Sequence, residues 1–409
     1  MKSNITGIKS ILFIVLVLFI YSCKKDNNGS QNQYLVKYEF VKSTTTEQNQ
    51  GGLLIASFYF PEFDSLVPYC NYGSEVYTIQ YNTTFLGKPI IASGLVMLPQ
   101  TDSLFPMISF QNATSTCNAN APSENANSQF FTIMSMMAGT GYIIGLSDYI
   151  GFGASSQILH PYLHTESTVT ALKDFIAAVQ ELTDRTDVKA KFDGDLYLMG
   201  YSQGGWATLS LTKELENNPL SGCNLTAAAA GAGAYDLMGM AHYILGLDEY
   251  STPYFLPNFI ESRRQNNLLT EPLIYYFKEP YATEIPSLFD GTVCNSEINS
   301  HFPFRVKDFL SDDMYSNFDN SENLAGLRNE LQANSVNPWT LNTRLHLYHS
   351  FGDKTIPYTQ SENMYLTLME DFAVTSDRLS LTILMDTLDH EEAIIPWGID
   401  AMMWFKSIK

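Results

Sequence analysis

Basic side chains are scarce in this chain: 23 lysines and arginines stand against 43 aspartates and glutamates, a formal net charge of −20. Nucleic-acid binding requires clustered Lys and Arg to neutralise phosphates, and no such cluster follows residue 25. Hydrophobic residues make up 45% of the chain and aromatic residues 13%, which favours a folded protein with apolar clefts over a disordered one. The composition therefore disfavours nucleic acid as a partner.

An apolar run long enough to cross a bilayer is also lacking near the amino terminus, because residues 11–20 fall short of the roughly 20 residues that a spanning helix needs. Lys2 and Lys9 give this region the positive charge of a targeting segment. Residues 20–23 (IYSC) follow, and they resemble the lipobox of bacterial lipoproteins.

The lipobox resemblance implies a signal peptide over residues 1–22 and acylation of Cys23, with residues 23–33 as a polar tether. Two or more acyl chains anchor a protein stably where one would not. A plain secretory signal is the alternative. We expect an exported protein held in a bacterial membrane by its lipid anchor, on the periplasmic or cell-surface side.

Cysteine is rare too, with five in the chain, and no CxxC pair or Cys/His cluster suggests a metal site. We expect neither a metal nor a cofactor. Four cysteines remain after Cys23, and an even number in an exported protein is compatible with two disulfides. The sequence does not choose among the three pairings; the one we expect is Cys70–Cys117 with Cys223–Cys294.

The most informative stretch is residues 196–205 (LYLMGYSQGG), in which an apolar run meets a Gly-x-Ser-x-Gly turn centred on Ser202. A segment with helical spacing of apolar residues follows it. A serine at the apex of a strand-turn-helix is held in a strained conformation with its hydroxyl exposed, and the flanking glycines let strand and helix approach closely. Ser202 is therefore a candidate nucleophile.

The surrounding segments predict an α/β fold. Residues 74–98 read as a β-hairpin, and residues 34–50 as an irregular segment. The later strands are continuous apolar runs that alternate with helices, which indicates a mostly parallel central sheet with helices on both faces. Strands are predicted at residues 105–110, 142–146, 225–234, 344–349 and 379–385, and helices at 128–137, 165–183, 361–372 and 391–408.

Residues 237–340 interrupt this alternation with aromatic, helix-like pieces and no convincing strand. We interpret them as a helical cap inserted into a single domain that spans residues 34–409. A second independent domain is the alternative, because more than 100 residues could fold alone.

A serine nucleophile needs a histidine base and a carboxylate that orients it. His390 follows the last predicted strand, and Asp353 follows the strand before it, so both are expected at the same sheet edge as Ser202. The order Ser202, Asp353, His390 is that of α/β-hydrolases. Asp236 is the rival acid, while Asp389 is too close in sequence to reach His390 easily.

The remaining candidate histidines have other expected roles. His160 and His164 are predicted to line the pocket or hold a loop before a helix. His346 lies within a strand pattern and is expected to be buried, and His349 is expected to support the turn that carries Asp353.

The oxyanion hole requires two backbone N–H donors, and the loss of one such donor costs roughly 3 kcal/mol of barrier. The first expected donor is the N–H of Gln203, directly after the nucleophile. The second is expected from the loop after residues 105–110, at Asn112 to Thr114.

Together these motifs resemble the secretory lipase group of α/β-hydrolases, which includes fungal lipase A-type enzymes and bacterial esterases. The resemblance spans about residues 70–409 and is carried by GYSQGG at 200–205, SDYIGFG at 147–153, HPYL at 160–163, the hairpin at 87–94 and the turn at Asp353. It implies hydrolysis of carboxylic esters through an acyl-serine intermediate. Relatives usually carry His-Gly in the oxyanion loop, where this chain has Asn112-Ala113.

The sequence therefore predicts a serine esterase or lipase that acts on a small-molecule or lipid ester. A serine peptidase of the same fold is an alternative, because Glu261, Arg263 and Arg264 in the predicted cap could hold a charged substrate terminus. A non-catalytic, ligand-binding lipoprotein is the other alternative.

Overall fold

The computed structural model describes residues 32–409. The predicted signal peptide, Cys23 and most of the predicted tether lie outside the described residues. Nine strands form one sheet: β1 (Leu35–Thr44), β2 (Ser74–Phe85), β3 (Lys88–Pro99), β4 (Leu104–Gln111), β5 (Ile143–Ser147), β6 (Lys191–Tyr201), β7 (Asn224–Gly231), β8 (Arg344–His349) and β9 (Leu379–Ile383).

Six α-helices lie outside the segment between β7 and β8 in the described chain. Before β7 these are α1 (Thr46–Ser57), α2 (Gln129–Ala138), α3 (Thr165–Thr183) and α4 (Gln203–Asn217). The helices between β7 and β8 are α5 (Leu237–Leu245), α6 (Phe255–Gln265), α7 (Tyr281–Leu288), α8 (Asn295–Ser300), α9 (Val306–Phe309), α10 (Asp312–Ser316) and α11 (Ala325–Ala333). After β8 come α12 (Thr359–Glu370) and α13 (Ile394–Ile408).

The strand order is β1-β2-β3-β5-β4-β6-β7-β8-β9. The first three strands pair antiparallel, and β3 also pairs antiparallel with β5, whereas every pair from β5 through β9 is parallel. The parallel strands all end at one edge, so the turns after β4, β6, β8 and β9 meet there. The predicted mostly parallel sheet is confirmed.

Strand β6 shows why the sheet is covered on both faces. Successive side chains of a strand point to opposite faces, and here Leu196 and Leu198 pack with α3 and α4 in one hydrophobic cluster. Tyr197 and Met199 pack on the other face, in a cluster that includes side chains of α2 and α13. Burial of apolar area on both faces contributes roughly 25 cal/mol for each Å², which explains why β6 is apolar at every position from Leu196 to Met199.

The predicted irregular segment at residues 34–50 is wrong. Residues Leu35–Thr44 form the edge strand β1, which pairs with β2, and α1 starts directly after it. Thr45 caps α1 in a capping box with Gln48, because each side chain accepts a hydrogen bond from the other residue's backbone N–H. Most β1 side chains are exposed or half-buried, so the segment lacks a clean apolar alternation that would reveal a strand.

The segment between β7 and β8 is helical, and we call residues 237–340 the cap segment. Its strand-like pairing in the described structure consists of two isolated bridges, Glu249 with Arg305 and Phe277 with Leu310. The helix-like pieces expected here are present, among them the short helices α8, α9 and α10. Within residues 32–409, no helix combines the length and apolarity needed to cross a membrane.

Candidate active site

Ser202 lies at a sharp turn between β6 and α4, and its backbone has φ 60° and ψ −121°. Its N–H donates to the carbonyl of Gly231 on the neighbouring strand (2.9 Å), and its own carbonyl accepts from the N–H of Trp206 (3.1 Å). Residue 204 must be glycine because the backbone of Gln111 packs against it: a Cβ atom there would lie 2.0 Å from the carbonyl oxygen of Gln111. The sequence thus forces the serine to the edge of the sheet.

His390 and Asp353 converge on this serine, although they come from two other strand ends. The Nε2 atom of His390 lies 2.8 Å from Ser202 Oγ, and its Nδ1 atom lies 2.6 Å from Asp353 Oδ2. All three residues are at most 8% exposed. The ring of Tyr201 packs beside the His390 ring, with centroids 5.2 Å apart, which restricts rotation of the imidazole.

Asp353 is buried but strongly hydrogen-bonded. Its Oδ1 accepts from the N–H groups of Thr355 (2.9 Å) and Ile356 (2.8 Å), which fixes the turn after β8. Burial alone would raise the pKa of Asp353, but hydrogen bonds and attraction from His349 and His390 outweigh it and lower the pKa to about 2. The carboxylate is therefore charged at neutral pH.

The ionised carboxylate determines the tautomer of the base. Asp353 can only accept, so His390 Nδ1 carries the proton and donates it, which leaves the Nε2 lone pair facing the Ser202 hydroxyl. That is the arrangement in which an imidazole can take the serine proton.

The alternatives considered from the sequence occupy other positions. Asp236 is exposed and caps α5 by accepting from the N–H of Gly239 (2.9 Å). His164 caps α3, and His346 bonds Thr382 Oγ1 (2.7 Å) within the sheet, where it is half-buried rather than fully buried. His349 donates to the carbonyl of Ile356 (2.9 Å) and lies 3.4 Å from Asp353, so it braces the acid turn.

Solved structures share this architecture. A candidate hydrolase from Legionella pneumophila subsp. pneumophila is 26% identical with a TM-score of 0.80, over 92% of this chain and 98% of that chain. The rice cell wall degrading esterase LipA from Xanthomonas oryzae is 21% identical with a TM-score of 0.76, over the same shares. The chain has the α/β-hydrolase fold.

A third α/β-hydrolase, Candida antarctica lipase A in its closed state, is 14% identical with a TM-score of 0.61, over 91% of this chain and 83% of that chain. No family model matches the sequence, and a search of curated proteins found no match.

The predicted oxyanion donors belong to two segments, the start of α4 and the loop after β4. Gln203 is the first residue of α4, where helix geometry leaves the backbone N–H without an intrahelical partner. Ala113 and Thr114 line the same groove as Ser202 and His390. The Asn112 side chain points elsewhere, since its Nδ2 donates to the carbonyl of Ser147 (2.6 Å). Any oxyanion donor from Asn112 is therefore its backbone N–H.

Two side chains support the oxyanion residues, and the sequence did not assign them that role. Tyr149 donates its hydroxyl to the carbonyl of Asn112 (3.0 Å), and His160 Nε2 lies 2.9 Å from Gln203 Nε2. The sequence could have pointed to both residues, because they belong to the motifs at 147–153 and 160–163 that carry the family resemblance. Their spacing from Ser202 in the sequence gives no hint of contact.

Two spaces meet at Ser202. One is a cavity of about 60 Å³ under α5 and α6, lined mostly by apolar side chains of the cap segment. The other is a wide groove of about 1200 Å³ with mixed walls, which runs between the loop at Ala113–Thr114, the cap segment near Asn295 and the turn at His390. The serine therefore borders a small apolar space and a much larger one with mixed walls.

The expected disulfide pairing is wrong. Cys117 is bonded to Cys294, while Cys70 and Cys223 are free. The two free thiols lie in separate parts of the core: Cys70 packs near Met136, and Cys223 directly precedes β7. Burial raises the pKa of both thiols, to about 11 for Cys70 and about 12 for Cys223, so both stay protonated. The bond joins the loop after β4 to the start of α8.

The described part of the chain contains no group of three or more His, Cys, Asp or Glu side chains that could hold a metal ion.

Proposed function

We propose that this protein is a serine carboxylic-ester hydrolase that acts through an acyl-serine intermediate. The observation that carries the proposal is the continuous hydrogen-bonded line from Ser202 through His390 to Asp353, at a serine that borders both an apolar cavity and an open groove. Two structural neighbours are named as an esterase and a lipase, which agrees with the proposal.

In acylation, Ser202 Oγ attacks the ester carbonyl as its proton moves to His390 Nε2. The carbonyl oxygen becomes an oxyanion, which the N–H of Gln203 and a backbone donor of the Asn112–Thr114 loop stabilise. His390 then gives the proton to the alkoxide as the C–O bond breaks, so the alcohol leaves neutral. Asp353 stabilises the transient imidazolium without taking its proton.

In deacylation, a water molecule takes the place of the alcohol. His390 accepts its proton while the hydroxide adds to the acyl carbon, and then returns the proton to Ser202 as the acid departs. Water can reach this position from the groove, because His390 lines it together with Ser202.

The two spaces suggest how the ester lies. The apolar cavity suits the acyl group, since its lining comes from side chains such as Met240, Ile244 and Phe259. The groove suits a larger alcohol part, since it is wide and carries polar groups such as Asn295, Lys354 and Glu391. The neighbour from Xanthomonas oryzae is named for degrading rice cell walls, and an acylated sugar would fit a groove of this kind, as would a lipid or a plant aromatic ester.

The peptidase alternative loses its main support. Arg263 donates to the carbonyls of Tyr162 and Leu163 and pairs with Glu330 (3.1 Å), and Glu261 pairs with Arg264 (3.0 Å). Arg263 is fully buried, so its guanidinium joins α6 to neighbouring loops and cannot hold a substrate terminus. Neither the cavity nor the groove at Ser202 is lined by Glu261, Arg263 or Arg264.

The test is hydrolysis of p-nitrophenyl esters of graded chain length, with aminoacyl-p-nitroanilides in parallel. We expect ester turnover, labelling of Ser202 by a fluorophosphonate, and loss of about 10⁴-fold or more in kcat for Ser202→Ala. Turnover of anilides without esters would support the peptidase. Absence of both turnover and labelling would support a ligand-binding protein, and full activity of Ser202→Ala would refute the nucleophile.

We also propose that the protein is exported and anchored by lipid at Cys23. The disulfide Cys117–Cys294 supports export, because disulfides persist in oxidising compartments. Membrane fractionation of the full chain and of Cys23→Ala tests this. The variant should lose its membrane association, and retention of the variant in the membrane fraction would contradict the proposal.

A further inference from the structure

The end of helix α1 exposes a group of large apolar side chains. Leu54 and Phe58 lie one helical turn apart, as do Ile55 and Tyr59, so these four side chains share one face. Phe58 is 85% exposed, Tyr59 78% and Ile55 63%. Phe60 follows directly and is also exposed. We call these five residues the α1 patch.

The α1 patch lies in a stretch of sequence without charged side chains. No Asp, Glu, Lys or Arg occurs between Glu47 and Glu62, although the whole chain has a net charge of −20. Large exposed apolar patches mark sites of contact with another protein or with a membrane. Here no charge has to be desolvated when the patch enters an apolar environment. The patch can therefore be buried at little electrostatic cost.

The α1 patch points toward the sheet edge at which the parallel strands end, which we call the Ser202 edge. Helix α2 connects the parallel strands β4 and β5, so it runs from the Ser202 edge to the opposite edge. Asn49 of α1 packs against Gly139, which directly follows α2, while Gly52 packs against Met136, three residues earlier. Helix α1 is therefore antiparallel to α2, and its end returns toward the Ser202 edge.

The start of β1 lies toward the same edge. Strand β1 is antiparallel to β2, β2 to β3, and β3 to β5, so β1 starts at the edge where β5 ends. The chain therefore enters the domain, just before β1, on the side toward which the α1 patch points.

The short distance along the chain from Cys23 to the domain determines which side a lipid anchor would hold at a bilayer. Ten peptide units join Cys23 to Gln33, and they span at most roughly 35 Å. Residues Gln33–Lys409 form one compact unit, and a domain of that size is roughly 50 Å across. An anchor at Cys23 would therefore hold the Ser202 edge near the bilayer, because the opposite edge is beyond its reach.

We propose that the α1 patch inserts into the headgroup region of a lipid bilayer and holds the Ser202 edge at the membrane surface. The inference rests on the proposed lipid anchor at Cys23, which makes this contact intramolecular and so strengthens a weak interaction. Aromatic and aliphatic side chains on one face of a helix are typical of such interfacial contacts.

The proposed contact also indicates a substrate class for the proposed esterase. Phe130, at the start of α2, lines the groove at Ser202 and is 40% exposed. With the Ser202 edge at the membrane, this groove receives esters that are dissolved in the bilayer. The substrate class is therefore a lipid ester, with its lipid alcohol part in the groove.

The contact is measured on the full, anchored chain in vesicles of phosphatidylcholine with brominated acyl chains, which quench the fluorescence of nearby tryptophans. Phosphatidylcholine has no net charge, so it does not repel the acidic chain. The Phe58→Trp variant adds a tryptophan to the α1 patch, and the wild type corrects for the native tryptophans. We expect the bromolipid to quench the added emission by about half or more, because the ring lies at the boundary of headgroups and acyl chains.

Leu366→Trp is the matched control. Leu366 is 43% exposed and belongs to α12, whose buried Met364 and Leu368 pack on one face of the sheet. Leu53 of α1 packs on the other face. The tryptophan added by Leu366→Trp should therefore keep its emission in the same vesicles.

Hydrolysis tests the substrate class separately. Hexadecyl acetate dissolved in the vesicles and ethyl acetate in water share one acyl group and differ in the alcohol. In the anchored variant Phe58→Ser/Tyr59→Ser we expect the rate on hexadecyl acetate to fall about tenfold relative to the wild type. The rate on ethyl acetate should stay the same, because residues of α1 line neither the cavity nor the groove at Ser202.

The outcomes distinguish the inference from the proposals on which it builds. Absence of quenching in Phe58→Trp, or equal quenching in Leu366→Trp, would overturn the contact. A blue shift of the Phe58→Trp emission that grows with protein concentration, without quenching, would overturn it in favour of a second copy of the chain.

Failure of the wild type to remain with the vesicles would refute the anchor at Cys23, and the inference with it. An unchanged rate of the double variant on hexadecyl acetate would overturn the substrate class. Quenching needs no ester turnover, so a wild type that shows the contact but hydrolyses neither ester would refute the esterase and its lipid substrate while supporting the membrane contact.

Discussion

At the scale of single residues, Ser202 shows how the fold maintains an unfavourable conformation. A non-glycine residue at φ 60° and ψ −121° costs on the order of 1–3 kcal/mol. Two backbone hydrogen bonds, to Gly231 and from Trp206, hold it between strand and helix. The hydroxyl of Ser202 is hydrogen-bonded to His390 in this conformation, so the strained backbone places the proposed nucleophile beside its proposed base.

Asp148 is a second residue in an unfavourable environment, because its carboxyl group is buried. It directly precedes Tyr149, which contacts the loop after β4. It is 2% exposed, and its Oδ2 accepts from the hydroxyls of Ser93 and Ser123 (2.5 Å each). The next residue, Tyr149, donates to the carbonyl of Asn112. Burial raises the pKa of Asp148 to about 6, although the hydrogen bonds from Ser123 and Ser93 oppose this shift.

The raised pKa of Asp148 predicts a pH-dependent stability. Between pH values of about 4 and 6 the folded protein keeps the Asp148 proton that the unfolded chain has lost, so this contribution is complete below pH 4 and disappears as the pH rises through 6. We expect the free energy of unfolding of the wild type, relative to Asp148→Asn, to fall by roughly 2–3 kcal/mol from pH 4 to pH 7. Urea unfolding at several pH values measures this difference.

Asp102→Asn is the matched control for loss of one negative charge, because Asp102 is exposed on a loop before β4. The free energy of unfolding of the wild type minus that of Asp148→Asn should fall from pH 4 to pH 7. If this difference stays constant or grows, the raised pKa does not belong to Asp148.

At the scale of elements, the loop after β4 is fastened to the cap segment. The disulfide joins Cys117 to Cys294, and Asn295 accepts from the N–H of Thr116 (2.8 Å) and donates to the carbonyl of Thr114 (2.8 Å). This loop carries the expected second oxyanion donor. The cap segment therefore fixes the position of a loop to which we assign a catalytic role.

This clamp predicts a catalytic effect of removing the disulfide. The double variant Cys117→Ser/Cys294→Ser should lose about 2–4 kcal/mol of unfolding free energy, since the bond closes a loop of 177 residues. Because we propose that this loop stabilises the oxyanion in the transition state, we expect kcat to fall about tenfold or more while KM changes little. Ester kinetics well below the unfolding temperature measure both parameters.

Cys223→Ser is the control, as its thiol is free and only half-buried. An unchanged kcat in the double variant, despite lower stability, would mean that the Thr116–Asn295 and Thr114–Asn295 hydrogen bonds hold the loop without the disulfide.

Which elements the sequence predicted depends on how local their determinants are. The turn at Ser202 and the helix Thr165–Thr183 were found, because their apolar periodicity and their glycines lie within one short window. The position of Asp353 and His390 followed from the rule that parallel strands end at one edge. Strand β1 was missed because pairing with β2, rather than its own pattern, makes it a strand.

The contacts within the site were less accessible to sequence reasoning. Cys117 pairs with a cysteine 177 residues away, and no local pattern specifies a contact over that separation. The contact of His160 with Gln203 spans 43 residues and depends on the path of the loop after β5. Both depend on how loops pack over the sheet edge, and single-sequence periodicity contains no information about that packing.

At the scale of the whole molecule, the excess of acidic residues is also present at the groove. Asp389, Glu391 and Glu392 are exposed on its rim, next to His390. The groove lining also includes Lys354. A net charge of −20 adds a long-range negative potential. Such fields raise the local concentration of cations and lower that of anions, and salt screens them over about 10 Å at 0.1 M.

The acidic rim predicts that the enzyme prefers a cationic alcohol group to a neutral one of the same shape. Butyrylcholine and 3,3-dimethylbutyl butanoate are such a pair, and we expect kcat/KM to favour the cation by about threefold at 10 mM salt. The ratio should approach one at 0.5 M salt, because screening then removes the attraction. Glu391→Gln should lower the ratio at low salt. Glu62→Gln, which removes an equal charge away from the groove, should lower it less, and equal effects of the two variants would assign the preference to the net charge instead of the rim.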